Sequence, residues 1–312
     1  MPLRKIQYPY LPDGATYTNT VTAENAFMQA AMAQRDTAGC RKHATGAVIV
    51  KDGVVVASGA NAGMFVTICP RVYKGYGTGQ GYRYCKEYCA QDGHAEVMAV
   101  RDAKAKGLDV RGADMYLYGH WWACKNCWDT MLAVGITNVF VTDNSHEVFN
   151  DQARNPGEFE SVDLKVYVSG PLTRLKDESI KTLYERIGDL AGTFGIAAHV
   201  PHLHTDPKAN ADVTPEQVYA FDSGHVKDAD IVVAYVGETS LGVGMELEMA
   251  RQNHALVVLI SEVGTPVSRL VLGNPAVIDH VQFSDHEHAL TQLREVFTKL
   301  VAAAKKKNQS TL

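Results

Sequence analysis

Three residues in the first half of the chain have the types and spacing of a hydrolytic metal centre. His94 is followed by Ala95 and Glu96, and thirty residues after His94 comes Cys124-Lys125-Asn126-Cys127. One histidine and two cysteines are zinc ligands, and three protein ligands leave the fourth tetrahedral position for water, as a catalytic zinc requires. Cys124 and Cys127 lie three apart at an expected helix start, so they share a face. A helix N-terminus also favours their thiolate form. Zinc lowers the pKa of its bound water toward 7 and so supplies a nucleophile at neutral pH. Glu96, two residues past His94, can take the water's proton without ligating the metal. The alternative readings are a purely structural zinc site or a coincidence of spacing.

A second constellation lies in the other half. Val166-Tyr167-Val168-Ser169-Gly170-Pro171 reads as a strand entering a Gly-Pro loop, and Ser240-Leu241-Gly242-Val243-Gly244-Met245-Glu246 as a glycine-rich loop entering a helix. Gly242 and Gly244 allow close backbone approach. The helix N-terminus, with the Ser240 hydroxyl, makes an anion site. Glu246, expected in the first turn, projects toward whatever sits there. A carboxylate beside a sugar can attack the anomeric carbon through an oxocarbenium-like transition state, and a second one, such as Asp222, can hold a sugar hydroxyl or manage a proton. The plain alternative makes Glu246 a first-turn acid that complements the helix dipole. His199, His202 and His204 are expected in a loop beside this site rather than around a metal, because Pro201 and Pro207 break regular ligand spacing.

The elements that must position these groups follow from pattern. In the first half, Thr22 reads as an N-cap ahead of a helix over Ala23 to Gln34. Thr45 to Val50 and Val54 to Ser58 read as strands joined through Asp52-Gly53, a strong hairpin signal. His94 to Lys106 and Cys124 to Val134 read as helices ending at Gly107 and Gly135, with strands over Asp114 to Tyr118 and Asn138 to Thr142. The second half alternates more regularly: strand Lys165 to Ser169, helix Lys176 to Leu190, strand Ile231 to Tyr235, helix Met245 to Gln252, strand Leu256 to Ile260, and a long amphipathic helix from Glu287 to Ala304. That alternation predicts a parallel sheet with helices on both faces and a ligand at the carboxyl ends of the strands.

The 312 residues, of which 46% are hydrophobic and 21% charged, fit two globular domains at roughly 150 residues each. The polar stretch Asn150 to Glu158, with Pro156-Gly157, places the boundary: domains are expected over residues 1–155 and 160–312. No apolar run approaches the ~20 residues of a membrane span. Met1-Pro2-Leu3-Arg4-Lys5 is not followed by an apolar stretch, so no signal peptide is expected and the cytoplasm is the default location. The net charge of −5, with no basic stripe, argues against a polynucleotide partner. All six cysteines, Cys40, Cys69, Cys85, Cys89, Cys124 and Cys127, fall in the first 127 residues. Without a signal peptide they point to metal ligation or catalysis rather than disulfides.

His-x-Glu followed by Cys-x-x-Cys is the zinc deaminase signature, in which the glutamate returns its proton to the leaving amine. With Cys40-Arg41-Lys42-His43-Ala44-Thr45-Gly46-Ala47-Val48-Ile49-Val50 and Gly59-Ala60-Asn61, residues 20 to 145 resemble the deoxycytidylate (dCMP) deaminase branch of the cytidine deaminase superfamily. The resemblance implies an α/β/α domain, one catalytic Zn2+ on His94, Cys124 and Cys127, and Asn61 on the substrate sugar. It also offers a second, structural zinc, for which Cys40, Cys69, Cys85 and Cys89 are the candidates; otherwise these are free, buried thiols. Ala123 departs from the family's proline, after His120-Trp121-Trp122, and either tryptophan could stack on a base or belong to the core. Residues 163 to 283, through Tyr167 to Pro171, Asp222, Asp230 to Ala234 and Ser240 to Leu247, resemble the nucleoside 2-deoxyribosyltransferase family, most of all its 2′-deoxynucleoside 5′-monophosphate N-glycosidases. This implies a Rossmann-like (flavodoxin-like) parallel-sheet domain. It makes Glu246 the nucleophile, with Asp222 and Tyr167 at the sugar, Gly170, Gly242 and Gly244 in the binding loops, and Ser240 on the 5′-phosphate. Ser268 would reach the phosphate from a neighbouring subunit, which implies a homodimer or larger assembly. Pro171 stands where the nucleotide-specific enzymes carry another phosphate-binding serine.

Taken together, the chain is expected to be an α/β enzyme of two domains acting on a small deoxynucleotide. Deamination of a dCMP-type nucleotide, plain or modified on the base, would be followed by cleavage of the N-glycosidic bond. The alternatives are a deaminase joined to a deoxyribosyl transferase, or to a silent nucleotide-sensing domain.

Overall fold

Asp52 and Gly53 both adopt positive φ, 51° and 75°, and turn one strand back on the next, as the Asp-Gly signal requires. The computed structural model that shows this describes residues 10–307 apart from positions 14, 41, 62, 78, 79, 150–158, 161, 162, 174 and 305. Most of the expected linker therefore lies outside the described residues. The chain divides into two units, Met1–Val66 with Gly77–Pro156 and Thr67–Tyr76 with Gly157–Leu312. In chain order the elements are β1 (Thr16–Val21), α1 (Ala26–Arg35), β2 (Gly46–Lys51), β3 (Val54–Ala60), α2 (Pro70–Tyr73), α3 (Tyr82–Glu87), α4 (Ala95–Ala105), β4 (Asp114–Tyr118), α5 (Lys125–Leu132), β5 (Asn138–Thr142) and α6 (Ser145–Phe149). There follow β6 (Phe159–Glu160), β7 (Leu164–Ser169), α7 (Ser179–Gly192), β8 (Ile196–His199), α8 (His202–Thr205), α9 (Pro215–Asp228), β9 (Ile231–Tyr235), α10 (Leu241–Gln252), β10 (Leu256–Glu262), α11 (Arg269–Leu272), β11 (Val277–Phe283), α12 (His286–Ala304) and β12 (Lys306–Lys307).

The first unit is built on a five-stranded sheet of order β1-β5-β4-β2-β3. Strand β2 runs antiparallel to β3 and β4, while β5 is parallel to β4 and β1. Side-chain alternation along a strand splits the core in two. Ala47, Ile49, Met115 and Leu117 face α4 and α5, where Val100, Trp128 and Met131 are buried. Val48, Val50, Tyr116 and Tyr118 face α1 through Met28 and Ala31. This is the expected α/β/α layering. The first helix starts later than expected, because Asn25, not Thr22, caps it by accepting from the N–H groups of Phe27 and Met28. Strand β3 meets α4 backbone to backbone: a Cβ on Gly59 would run into Ala99 and Ala95 main-chain atoms.

The second unit has an all-parallel sheet of order β11-β10-β9-β7-β8. The chain starts at β7, steps out to β8, returns to the other side of β7 as β9, and continues outward through β10 and β11. This is the flavodoxin-like order, whose switch point, here between β7 and β9, is where such folds bind ligands. Strand β9 is buried along its whole length. Helix α7 packs with α12, and α9 with α10. Tyr73 of α2 belongs to this unit, its hydroxyl donating to Asp279 of β11 (2.7 Å).

Gly59→Ala is expected to cost the first unit about 2 kcal/mol, the scale of an overpacked core, read as a lower midpoint in urea unfolding. An unchanged midpoint would mean that α4 can lift from β3 at no cost.

Candidate active sites

Two helix N-termini build the first site. His94 is the N-cap of α4 and Cys124 the N-cap of α5, both in extended backbone conformation. Cys127 follows in the first turn of α5 and is fully buried. His94 Nδ1 lies 3.5 Å from Cys124 Sγ and 3.4 Å from Cys127 Sγ, and the two sulfurs are 3.3 Å apart. A tetrahedral zinc with bonds of about 2.0 Å to nitrogen and 2.3 Å to sulfur spans donor separations on the order of 3.5 Å, so the three donors fit that ion. The two sulfurs are hydrogen-bonded to one another, and the Cys124 pKa falls to about 4, chiefly through that bond. Glu96 lies in the first turn of α4 and is only 4% exposed. Burial raises its pKa, against the lowering influence of His94.

Around this set the structure places other residues less simply. Asn61 is buried, and both ends of its amide are engaged: Oδ1 accepts from Thr45 N–H (2.9 Å) and Nδ2 donates to the His43 carbonyl (2.5 Å). Trp122 is buried in the core, whereas Trp121 is half-buried, edge-on to His146 at 4.6 Å. Tyr82, 44% exposed, brings its ring 6.2 Å from that of His94; the sequence reading did not single it out. Among the described residues, His94, Cys124 and Cys127 are the one set of three or more potential ligands whose donor atoms all lie within 4.8 Å. Cys40, Cys69, Cys85 and Cys89 form no disulfide and, among the described residues, do not gather into such a set. Cys69 falls in the second unit, while the other three fall in the first.

The second site forms at the β7/β9 switch point. Tyr167, fully buried on β7, donates its hydroxyl to Glu246 Oε1 (2.9 Å). Ser169, two residues on and on the same face, donates to Glu246 Oε2. The helix carrying Glu246 starts earlier than expected. Ser240 is its N-cap, accepting from Val243 N–H (3.3 Å), so Gly242 and Gly244 lie inside α10 and Glu246 in its second turn. The loop reading gave glycine too much weight: near the N-cap the backbone is held by the cap itself. Gly170 is required where it stands, because a Cβ there would occupy the place of the Tyr184 hydroxyl.

Glu246 and Asp222 line one cavity of about 580 Å³, together with Thr205, Gly242 and Met245. Tyr167, Gly170, Ser240, Gly244 and Ser268 are not part of its wall; Ser268 precedes the short α11. Thr205 Oγ1 approaches both Asp222 oxygens (3.4 and 3.5 Å). Burial raises the Asp222 pKa. Burial also lifts Glu246 to about 7, against the lowering effect of Ser169 and Tyr167, with Asp222 adding to the rise. The histidines are packed rather than convergent. His199 ends β8 and stacks on His225 (3.7 Å), His204 (5.3 Å) and Tyr167 (5.6 Å). Burial, then the neighbouring imidazoles, lower its pKa to about 4. His202 pairs with Glu185 (2.9 Å). Ser169 and Thr205 were missed by the sequence reading, although the Tyr-x-Ser spacing on a strand was a signal for the first.

The family model for the cytidine and deoxycytidylate deaminase zinc-binding region matches residues 21–143. A Syntrophotalea carbinolica protein assigned as 2′-deoxynucleoside 5′-phosphate N-hydrolase 1 is 36% identical over 62 residues, 19% of this chain and 44% of that protein. The chain thus spans less than half the length of that relative. A Methanosarcina barkeri protein with the same assignment is 30% identical over 113 residues, 36% of this chain and 69% of that protein. The solved dCMP deaminase of cyanophage S-TIM5 shares 21% identity over 38% of this chain and 82% of its own, with a TM-score of 0.27.

Two outcomes follow from the Glu246 environment. Ser169→Ala and Tyr167→Phe each remove a donor to the carboxylate, so each should raise the Glu246 pKa further, read by carboxyl-resolved NMR titration. The folded protein also holds a proton on Glu246 that the unfolded chain has lost by pH 7. This group's contribution to stability is therefore full below pH 4.5 and is lost as pH rises toward 7. Glu246→Gln should be more stable than the wild type at pH 8, by roughly 3 kcal/mol, with the gap closing near pH 4 in paired thermal melts.

Proposed function

Because the chain belongs, through its second unit, to the 2′-deoxynucleoside 5′-phosphate N-hydrolase family and carries a deaminase zinc-binding region in its first, we propose that it deaminates a dCMP-type nucleotide and then cleaves the glycosidic bond of the product. One observation carries the reading. A single chain holds a His/Cys/Cys set beside a buried Glu96 and a carboxylate pair, Glu246 and Asp222, across one cavity.

In the first site, His94 Nδ1, Cys124 and Cys127 would hold zinc, which supplies Lewis-acid activation of water at neutral pH. Glu96 takes a proton from the attacking water and passes it to the departing amine. Its burial raises its proton affinity, which suits a group that must take a proton and then give it up. The product is a uracil-type nucleotide.

In the second site, the α10 N-terminus and the Ser240 hydroxyl receive the 5′-phosphate; the hydroxyl's proton is free to donate, since Oγ is the acceptor in the cap. The ionised Glu246 attacks C1′ and forms an ester as the C1′–N bond breaks, its electron pair leaving with the base. Asp222, whose proton affinity burial raises, is the group placed across the cavity to give that base its proton. Water then attacks C1′, the resulting carboxylate of Asp222 takes the water's proton, and Glu246 is released. The products are free base and 2-deoxyribose 5-phosphate. Tyr167 and Ser169 hold the nucleophile in place and keep enough of it ionised near pH 7. The net charge of −5 accords with a mononucleotide rather than a polynucleotide substrate.

Incubation of zinc-replete protein with dCMP, resolved by chromatography, should yield free uracil. Glu246→Ala should accumulate dUMP, and Glu96→Ala should form neither. Chelation should abolish dUMP formation from dCMP yet leave uracil release from added dUMP intact. A wild type that stops at dUMP would sink the second step.

A further inference from the structure

Asn210 lies between α8 and α9, with its backbone fixed on both sides. Its N–H donates to the Asp206 carbonyl (2.8 Å) and its own carbonyl accepts from Val213 N–H (3.1 Å). Asp206 is itself pinned: Oδ2 meets Lys181 Nζ (2.7 Å), and Oδ1 accepts from the N–H groups of Lys208 and Ala209 (2.8 and 3.0 Å). The side-chain amide of Asn210, by contrast, makes no hydrogen bond among the described residues. It is half-buried and lines the cavity that holds Glu246 and Asp222, where it is the only side-chain amide among the described residues.

The rest of that wall explains why this matters. Glu246 is held by Tyr167 and Ser169, and Asp222 faces Thr205. Val213, Val218 and Met249 make apolar wall. A carboxamide on this wall with its donor and acceptor unused by the protein has both available for a ligand that enters the cavity. Its two groups, one N–H donor and one C=O acceptor side by side, complement an edge that offers the reverse. The N3–H and C4=O of a uracil-type base are such an edge. We infer that Asn210 reads the base in the second site, accepting from N3–H and donating to O4. This rests on the glycosidase reading of that site. Because an amide can turn over, the same residue can also face the N3 acceptor and N4 amine of cytosine. An aspartate in its place, acceptor-only when ionised, keeps a partner for uracil N3–H or the cytosine amine and loses the donor to uracil O4 or cytosine N3.

The test is calorimetric binding of dUMP and dCMP to the full chain carrying Glu96→Ala and Glu246→Gln, which consumes neither nucleotide. Asn210→Leu removes both hydrogen bonds and should weaken dUMP binding at one site about tenfold. Asn210→Asp, nearly isosteric and so a guard against misfolding, keeps one acceptor and loses one donor toward either base, so it should weaken dUMP and dCMP alike, by about fivefold each. Affinity for dUMP within twofold of the background in Asn210→Leu overturns the inference, as does unchanged dUMP affinity in Asn210→Asp. No dUMP binding at the second site overturns it outright. Binding without base release by protein that retains Glu246 sinks the proposed activity alone and leaves the role of Asn210 decided by the affinities.

Discussion

An α-helix begins with N–H groups that nothing inside it can bond, and the reactive side chains of both units are arranged around such beginnings. His94 and Cys124 are themselves N-caps, and Glu96 and Cys127 follow within the first turn. In the second unit the capped start of α10 puts Glu246 over the ends of β7 and β9. The constraint explains why the supporting cores are so tightly made. Helix α4 touches β3 at Gly59 without a side chain between them, and a shift there would carry the histidine and the glutamate away from the two sulfurs together.

Glu246 shows the opposing effects most clearly. Removing a carboxylate from water raises its proton affinity, and Asp222 nearby pushes the same way. Two hydroxyls pull in the other direction, one on each oxygen. The balance settles near neutrality, which suits a group that must be charged to attack but lies in a place where charge is poorly solvated. In the first site, burial acts on Glu96 in the same sense.

The local chemistry was legible in the sequence where ligand and helix start coincide within a few residues. His94, Glu96, Cys124 and Cys127 needed only spacing to be found. The parallel sheet of the second unit followed from alternation of strand and helix, whereas its order, with β8 and β11 at the edges, did not. What escaped was set by packing between distant segments. Ser169 becomes a partner of Glu246 only once α10 docks. Gly242 and Gly244 carry a loop signal that the Ser240 cap overrides. Asn61 looks free in sequence, yet the segment at His43 and Thr45 occupies its amide. Helix α9 is signalled by Thr214-Pro215-Glu216-Gln217, a capping box the structure contains, which lies outside the elements the sequence pattern marked.

Ser169 and Glu246 stand 77 residues apart along the chain, on opposite sides of the crossover that returns the backbone past β7. Contacts of such span are entropically slow to close. Until the middle of the sheet has zipped, Glu246 is an ordinary solvated acid with no special reactivity. The folding order thus acts as a safeguard: a partly made or locally unfolded second unit has neither the nucleophile's hydroxyl partners nor its raised proton affinity, so bond-breaking power appears only with the finished sheet.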